Sequence, residues 1–167
     1  MASKKIENMS AIFASGCFWG TEHCFSKAGG VLKTTVGYIG GNINKPSYGD
    51  VSSGTSGHVE AILVNYNPAL ISYEKLAKLF FETHDFEQVS GQGPDIGPQY
   101  KSKIFYNNEN EKKIAEKLIE ELENMNYAVA TKVEKISNFW PAEEYHQDYY
   151  EKSGGTPYCH TYRKLFK

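Results

Sequence analysis

The chain has 167 residues, with 18 Lys and Arg against 20 Asp and Glu, so its formal net charge is −2 and no basic block stands out. That balance argues against a nucleic-acid or anionic-membrane partner, and no run approaches the ~20 apolar residues of a membrane span. Hydrophobic residues make up 40%, which suits one domain with a real core and excludes a disordered chain.

Residues 9–15 are short, mostly apolar and read as a buried strand. Gly16-Cys17-Phe18-Trp19-Gly20 follows, and residues 21–28 continue as a helix stopped by Gly29-Gly30. Residues 31–39 are rich in β-branched types and form a second strand. Residues 40–57 are a long glycine- and serine-rich loop, of the length that is usually functional or mobile. Residues 58–66 are a third strand, in which alternation puts Glu60 on the same face as Ile62 and Val64. Asn67-Pro68 turns the chain into a helix over 72–83, capped by Ser72, with Leu76, Leu79 and Phe80 facing the core.

Residues 84–100 form a second long loop, whose prolines and glycines predict no regular structure. A strand over 101–106 and a long helix over 109–125 come next, the helix capped by Asn108 with Ile114, Leu118, Leu122 and Met125 on one face. Residues 129–136 suit a fifth strand. Residues 139–150 are aromatic-rich, and Pro141 suits the start of a helical turn. Residues 151–167 read as a loose tail within a single domain spanning 1–167. The order β-α-β-β-α-β, with an extra helix and strand, predicts an α/β fold of the α+β kind. It is a two-layer ferredoxin-like sandwich: a mixed sheet, helices on one face, and a long irregular C-terminal region. Both long loops border strands and can meet over the sheet end near Cys17.

Three cysteines, Cys17, Cys24 and Cys159, include no C-x-x-C pair, so neither a disulfide framework nor a zinc ribbon is indicated. The adjacent pairs His23-Cys24 and Cys159-His160 are poorly spaced for one ion, and no metal is expected. Residues 1–8 are polar and lack the apolar core of a signal peptide, so a cytoplasmic protein is expected.

Cys17 has two readings. One is an inert cysteine in an aromatic core. The other is a nucleophile at a strand-to-helix turn, its pKa lowered by unpaired N–H groups and the helix dipole. Phe18 and Trp19 set two aromatic faces beside it, an awkward start for an amphipathic helix, which favours a site. Glu60 is either a strand-end carboxylate in solvent or paired with a cation, or a buried carboxyl kept protonated. A thiolate, aromatic walls, a neutral acid and nearby tyrosines suit attack on a weakly electrophilic sulfur with protonation of its oxygen.

Four stretches are similar to the A-type peptide-methionine sulfoxide reductases. They are Gly16 to Gly20 with Glu22 following, Tyr48 to Glu60, Gln92 to Ser102, and Phe139 to Tyr149. The resemblance implies Cys17 as the nucleophile that becomes a sulfenic acid, and Glu60 as the acid assisting oxygen departure. It implies that Phe18 and Trp19 hold a methyl group, that Tyr48 and Tyr100 bond the sulfoxide oxygen, and that Asp95 orients substrate or water. The implied substrate is the S epimer of methionine sulfoxide, free or in oxidised proteins, with no metal or organic cofactor. Tyr158-Cys159 matches the family's tail, so Cys159 is the implied resolving thiol, with thioredoxin as reductant and a monomer expected. Cys24 is the rival, but in a continuous helix it lies about 10 Å along the axis from Cys17, beyond the roughly 7 Å a disulfide allows.

Phe86 stands where the family pattern commonly has proline, and His160-Thr161-Tyr162-Arg163 replaces its usual glycine-rich run. His146 reads as structural support. Two other functions stay open on sequence: a cysteine hydrolase using Cys17, His146 and an Asp, and a non-catalytic redox-sensing or peptide-binding module.

Overall fold

The computed structural model describes residues 8–158 and 160–166. In chain order the elements are β1 (Met9–Ser15), α1 (Phe18–Ser26), β2 (Val31–Ile39), α2 (Tyr48–Ser52), β3 (Val59–Tyr66) and α3 (Tyr73–Glu82). The hairpin strands β4 (Gly91–Gln92) and β5 (Asp95–Ile96) follow, then a 3-10 turn at Pro98–Tyr100, β6 (Ser102–Tyr106) and α4 (Glu109–Asn124). The chain ends with β7 (Lys132–Lys135), β8 (Trp140–Pro141), a second 3-10 turn at Glu144–His146, and α5 (Tyr149–Ser153).

The large sheet has the order β7-β6-β1-β3-β2-β8. Its four inner strands, β6-β1-β3-β2, are antiparallel throughout and have the ferredoxin-like order predicted from sequence. β7 adds parallel to β6, which makes the sheet mixed; α4 supplies the crossover a parallel pair needs. β1 shows no clean alternation because both of its faces are covered. Ala11 and Phe13 point to the helices and Ile12 and Ala14 to the other side, all at most 2% exposed.

On the helix face, Phe25 of α1, Leu76 and Phe80 of α3, and Leu118 and Leu122 of α4 pack on Phe13, Ile62, Val64 and Ile104. Phe13 stacks on Phe25 and Phe80 at 5.2 and 5.4 Å between centroids. On the opposite face Ile12, Ala14, Ile39, Ala61 and Phe105 lie under Ile136 and Phe139, from the irregular C-terminal part. Ser72 and Asn108 cap α3 and α4, accepting from the backbone of Lys75 and Glu111 at 3.1 and 2.9 Å. No described helix is long and apolar enough to cross a membrane.

Several local expectations change. The 84–100 segment is not without regular structure: Gly91 and Gln92 pair with Ile96 and Asp95 across Gly93-Pro94. Pro94 sits at the reversal, where its missing N–H takes no ladder bond away. The 40–57 loop contains α2, started by a reciprocal cap in which Ser47 Oγ accepts from Asp50 N and Asp50 Oδ2 from Ser47 N. Pro141 does not begin a helix. It lies in the edge strand β8, opposite Gly37, where proline is tolerated. Gly37 is needed there because a Cβ would strike the Trp140 carbonyl and the Phe139 ring. Met125 leaves the core face of α4, since it is the C-cap beyond the last full turn. The tail is not loose throughout: residues up to Ser153 belong to α5, and His160 and Phe166 are buried.

Candidate active site

β1 delivers the chain to Gly16, whose φ of 95° reverses it into α1. Cys17 is the N-cap, its carbonyl accepting from Gly20 N at 3.2 Å and Thr21 N at 3.3 Å. The strand-to-helix turn expected for this cysteine is therefore present. The backbone N–H groups of Trp19 and Gly20, at the start of α1, favour the charged form of its sulfur.

The charge state expected for that sulfur is corrected. Cys17 is only 8% exposed, and burial pushes its thiol up to about 12, with the Glu60 carboxyl adding in the same direction. The two N–H groups favour a thiolate, but a helix N-terminus sunk in low dielectric loses more by desolvation than they return. The resting protein therefore holds a thiol. Near neutral pH, iodoacetamide should alkylate Cys17 more slowly than free cysteine, whose thiol titrates near ~8.5. Mass mapping of the alkylated site measures this; a rate at or above that of free cysteine would mean a depressed thiol.

Glu60 lies in β3 opposite Tyr38 of β2, 2% exposed. Its Oε1 accepts from the Phe18 backbone N–H at 3.2 Å. Burial raises its pKa to about 8, partly countered by that hydrogen bond, with the Asp95 charge adding to the rise. Of the two readings of Glu60, the buried, protonated carboxyl is the one present.

Cys17, Phe18, Trp19, Tyr48, Glu60, Asp95, Tyr100 and Tyr158 line one cavity of about 140 Å³. Sites for drug-sized ligands run to ~300–1,000 Å³, so this one admits the tip of a single side chain. A cleft of about 410 Å³ on the other side of Trp19 contains neither Cys17 nor Glu60. Every site residue read from sequence is thus in the small cavity except Cys159, which lies outside the described residues. The two long loops do meet beside Cys17: α2 brings Tyr48 from one, and the β4–β5 hairpin and 3-10 turn bring Asp95 and Tyr100 from the other.

Burial, with the neighbouring Glu60 carboxyl, raises both Tyr48 and Tyr100, so their hydroxyls stay protonated donors. Glu143 fixes Tyr48: its Oε2 accepts from Tyr48 N at 3.1 Å and its Oε1 from the Tyr38 hydroxyl at 2.9 Å. Trp19 is held on both sides. Its Nε1 donates to His146 Nδ1 at 3.0 Å, and its ring stacks on Tyr149 at 3.8 Å and 9°. That bond places the neutral His146 proton on Nε2. His146 supports the aromatic wall, as read from sequence, and spends its accepting nitrogen on Trp19 instead of the sulfur, which removes the basis for a Cys-His hydrolase.

A family model described as peptide methionine sulfoxide reductase matches residues 9–167. The chain belongs to the peptide methionine sulfoxide reductase family. The peptide methionine sulfoxide reductase of Methanococcus maripaludis strain C6 is 46% identical over 144 residues, 86% of this chain and 92% of that one. Among solved structures, Mxr1 from Saccharomyces cerevisiae in reduced form superposes with a TM-score of 0.88 at 34% identity, covering 98% of this chain and 96% of its own. The same yeast protein in complex with Trx2 superposes at 0.64 and 26% identity, covering 98% and 96%. Thiol-dependent reduction of methionine sulfoxide is the chemistry of the family and of this chain.

Within the methionine sulfoxide reductase site, several supporting residues were not singled out from sequence. Tyr158 lines the cavity and donates to Asp95 Oδ2 at 2.6 Å; its place before Cys159 was the signal. Gln147 ties the aromatic segment to β2, accepting from Val36 N at 2.9 Å and donating to Val36 O at 3.0 Å. Buried Glu22 accepts from Thr34 Oγ1 at 2.8 Å and Asp148 N at 2.6 Å, joining α1 to β2 and the start of α5. Glu143, Gln147 and Glu22 all lie within or beside the stretches that carry the family resemblance, but nothing in their spacing says which backbone each one reaches.

Proposed function

We propose that the chain, as a single catalytic domain, reduces the S epimer of methionine sulfoxide, free or in oxidised proteins, through a sulfenic acid on Cys17. The observation that carries this reading is the Cys17 sulfur sharing a side-chain-sized cavity with a carboxyl whose pKa is raised to about 8 and two protonated tyrosines. Phe18 and Trp19 take the methyl group, Tyr48 and Tyr100 donate to the sulfoxide oxygen, and Asp95, oriented by Tyr158, steers the substrate or a water.

Sγ of Cys17 attacks the sulfoxide sulfur, Glu60 gives its proton to the oxygen, and the Cys17 proton replaces the one Glu60 lost. The S–O bond to methionine breaks, the oxygen ends on Cys17 as –SOH, and methionine leaves reduced by two electrons. This proton exchange leaves no net charge in a site that burial makes hostile to charge, which is why a raised acid and a raised thiol work together. Cys159 then attacks the sulfenic sulfur, forming the Cys17–Cys159 disulfide and releasing water. A thioredoxin restores both thiols by exchange, a role supported by the yeast relative's complex with Trx2. Cys24 lies within continuous α1, a position that argues against direct bonding to Cys17. The enzyme acts as a monomer in the cytoplasm.

Incubation with separated S and R epimers and excess dithiothreitol tests the reading. Consumption of the S form alone supports it; consumption of the R form, or release of no methionine, overturns it. With thioredoxin in place of dithiothreitol, Cys159→Ser should release one methionine per protein and then stop.

A further inference from the structure

We propose that residues 160–166 are an anchored strap, and that His160, Arg163 and Phe166 are positioning residues for the recycling step. The proposal rests on the reading of Cys159 as the resolving thiol.

His160 is 6% exposed and sits against the turn that carries the nucleophile. Its Nε2–H donates to Ser15 O at 2.6 Å and lies 3.4 Å from Thr21 Oγ1. Thr21 Oγ1 in turn donates to Cys17 O at 3.3 Å. The His160 ring occupies the space beside Gly20 where a Cβ would otherwise be, so this glycine is the floor of the seat. On the other side of position 159, the Tyr158 hydroxyl is bonded to Asp95. The chain is therefore tied to the site walls one residue before and one residue after that position.

The far end is held independently. Arg163 N donates to Glu82 O at 2.7 Å, and Glu82 Oε2 accepts from Leu165 N at 2.9 Å and Phe166 N at 3.5 Å. The Arg163 guanidinium lies over the rings of Phe86 and Tyr127, at 5.9 and 5.5 Å. Phe166 is buried in the helix-face core, edge-on to Phe81. Two departures from the family pattern, Phe86 and the Arg163 run, thus meet each other in space. Anchors on both sides of position 159 set the reach of the chain between them. The effective concentration of the resolving thiol at Cys17 is thereby raised, so loss of the anchors is read first in disulfide formation.

The test is a rapid-quench single turnover of the reduced protein with methionine sulfoxide and no reductant. Methionine release and Cys17–Cys159 disulfide formation are followed separately, the latter by alkylation and mass mapping. In Arg163→Ala/Phe166→Ala, methionine release should stay within about twofold while disulfide formation slows about tenfold. His160→Ala should behave likewise, and His160→Gln, which keeps a donor for Ser15 O, should recover most of the rate. Should the double variant fail to fold by circular dichroism, Arg163→Ala alone carries the test, with an expected slowing of about threefold. Unchanged disulfide formation, or equal slowing of both steps, overturns the strap. Absence of the Cys17–Cys159 disulfide in the unsubstituted protein overturns the underlying assignment of Cys159 instead, and the strap's role with it.

Discussion

Replacing Glu60 by Gln is expected to slow methionine release in a single turnover by about 10²–10⁴-fold, the usual worth of a general acid. The fold should survive. Gln is neutral and nearly the same shape, and its carbonyl can still accept from Phe18 N, as the Glu60 carboxyl does. What it lacks is a proton acidic enough to give to the sulfoxide oxygen. The pH dependence follows from the raised pKa. Folded Glu60 keeps its proton up to about 8, so the acid is present below that pH and lost above it. Between the ordinary glutamate pKa of ~4.3 and about 8 the native state binds more protons here than the unfolded chain, so stability falls as pH rises through that window. Both dependences should vanish in Glu60→Gln. Because the Glu60 charge also raises Cys17, the variant's thiol should alkylate faster at alkaline pH. Stopped single turnovers across pH, with thermal melts of both proteins, measure all three effects. Undiminished methionine release in the variant would remove Glu60 as the acid.

Gly16→Ala is expected to lower stability by roughly 2–5 kcal/mol, adding ~1–2 for a left-handed residue with a side chain and ~1–3 for overpacking. At ~2–4 °C per kcal/mol for a chain of this size, Tm should fall by about 4–20 °C. Gly16 has φ 95°, and a Cβ there would sit 2.5 Å from the Cβ of Gln92. Gln92 is poorly able to move away. Its amide clamps Asp85 in both directions, accepting from Asp85 N at 2.6 Å and donating to Asp85 O at 2.9 Å. Relief must therefore come from the turn itself, which carries Cys17 away from Glu60, and activity should fall with stability. Gly154→Ala is the control: φ is 73° there, but nothing lies within 4 Å of the added Cβ, so only the backbone strain remains. Equal losses in the two variants would mean that the Gln92 contact costs nothing.

The sequence by itself determined the framework and the cast of the site. β2 was legible because nine consecutive residues carry a β-branched pattern, and α3 and α4 because Ser72 and Asn108 announce their starts. The order of strands and helices was enough to imply the ferredoxin-like arrangement, and the position of Cys17 between a strand and a helix was readable from its neighbours alone. Two-residue ladders such as β4–β5 and β8 were not legible, since a pair of residues has no period, and whether Pro141 starts a helix or lies on an edge depends on Gly37, remote in the chain.

Only the tertiary structure decided the protonation states and the fate of the tail. A helix N-terminus viewed locally favours a thiolate, but the cavity around Cys17 is closed by residues from Tyr48 to Tyr158, and desolvation by the whole set outweighs two local N–H groups. The same enclosure chose between the two readings of Glu60. The residues after Cys159 read as loose because they have no periodicity. Their order comes instead from Ser15, Thr21, Glu82 and Phe86, contacts so distant in sequence that no local pattern encodes them.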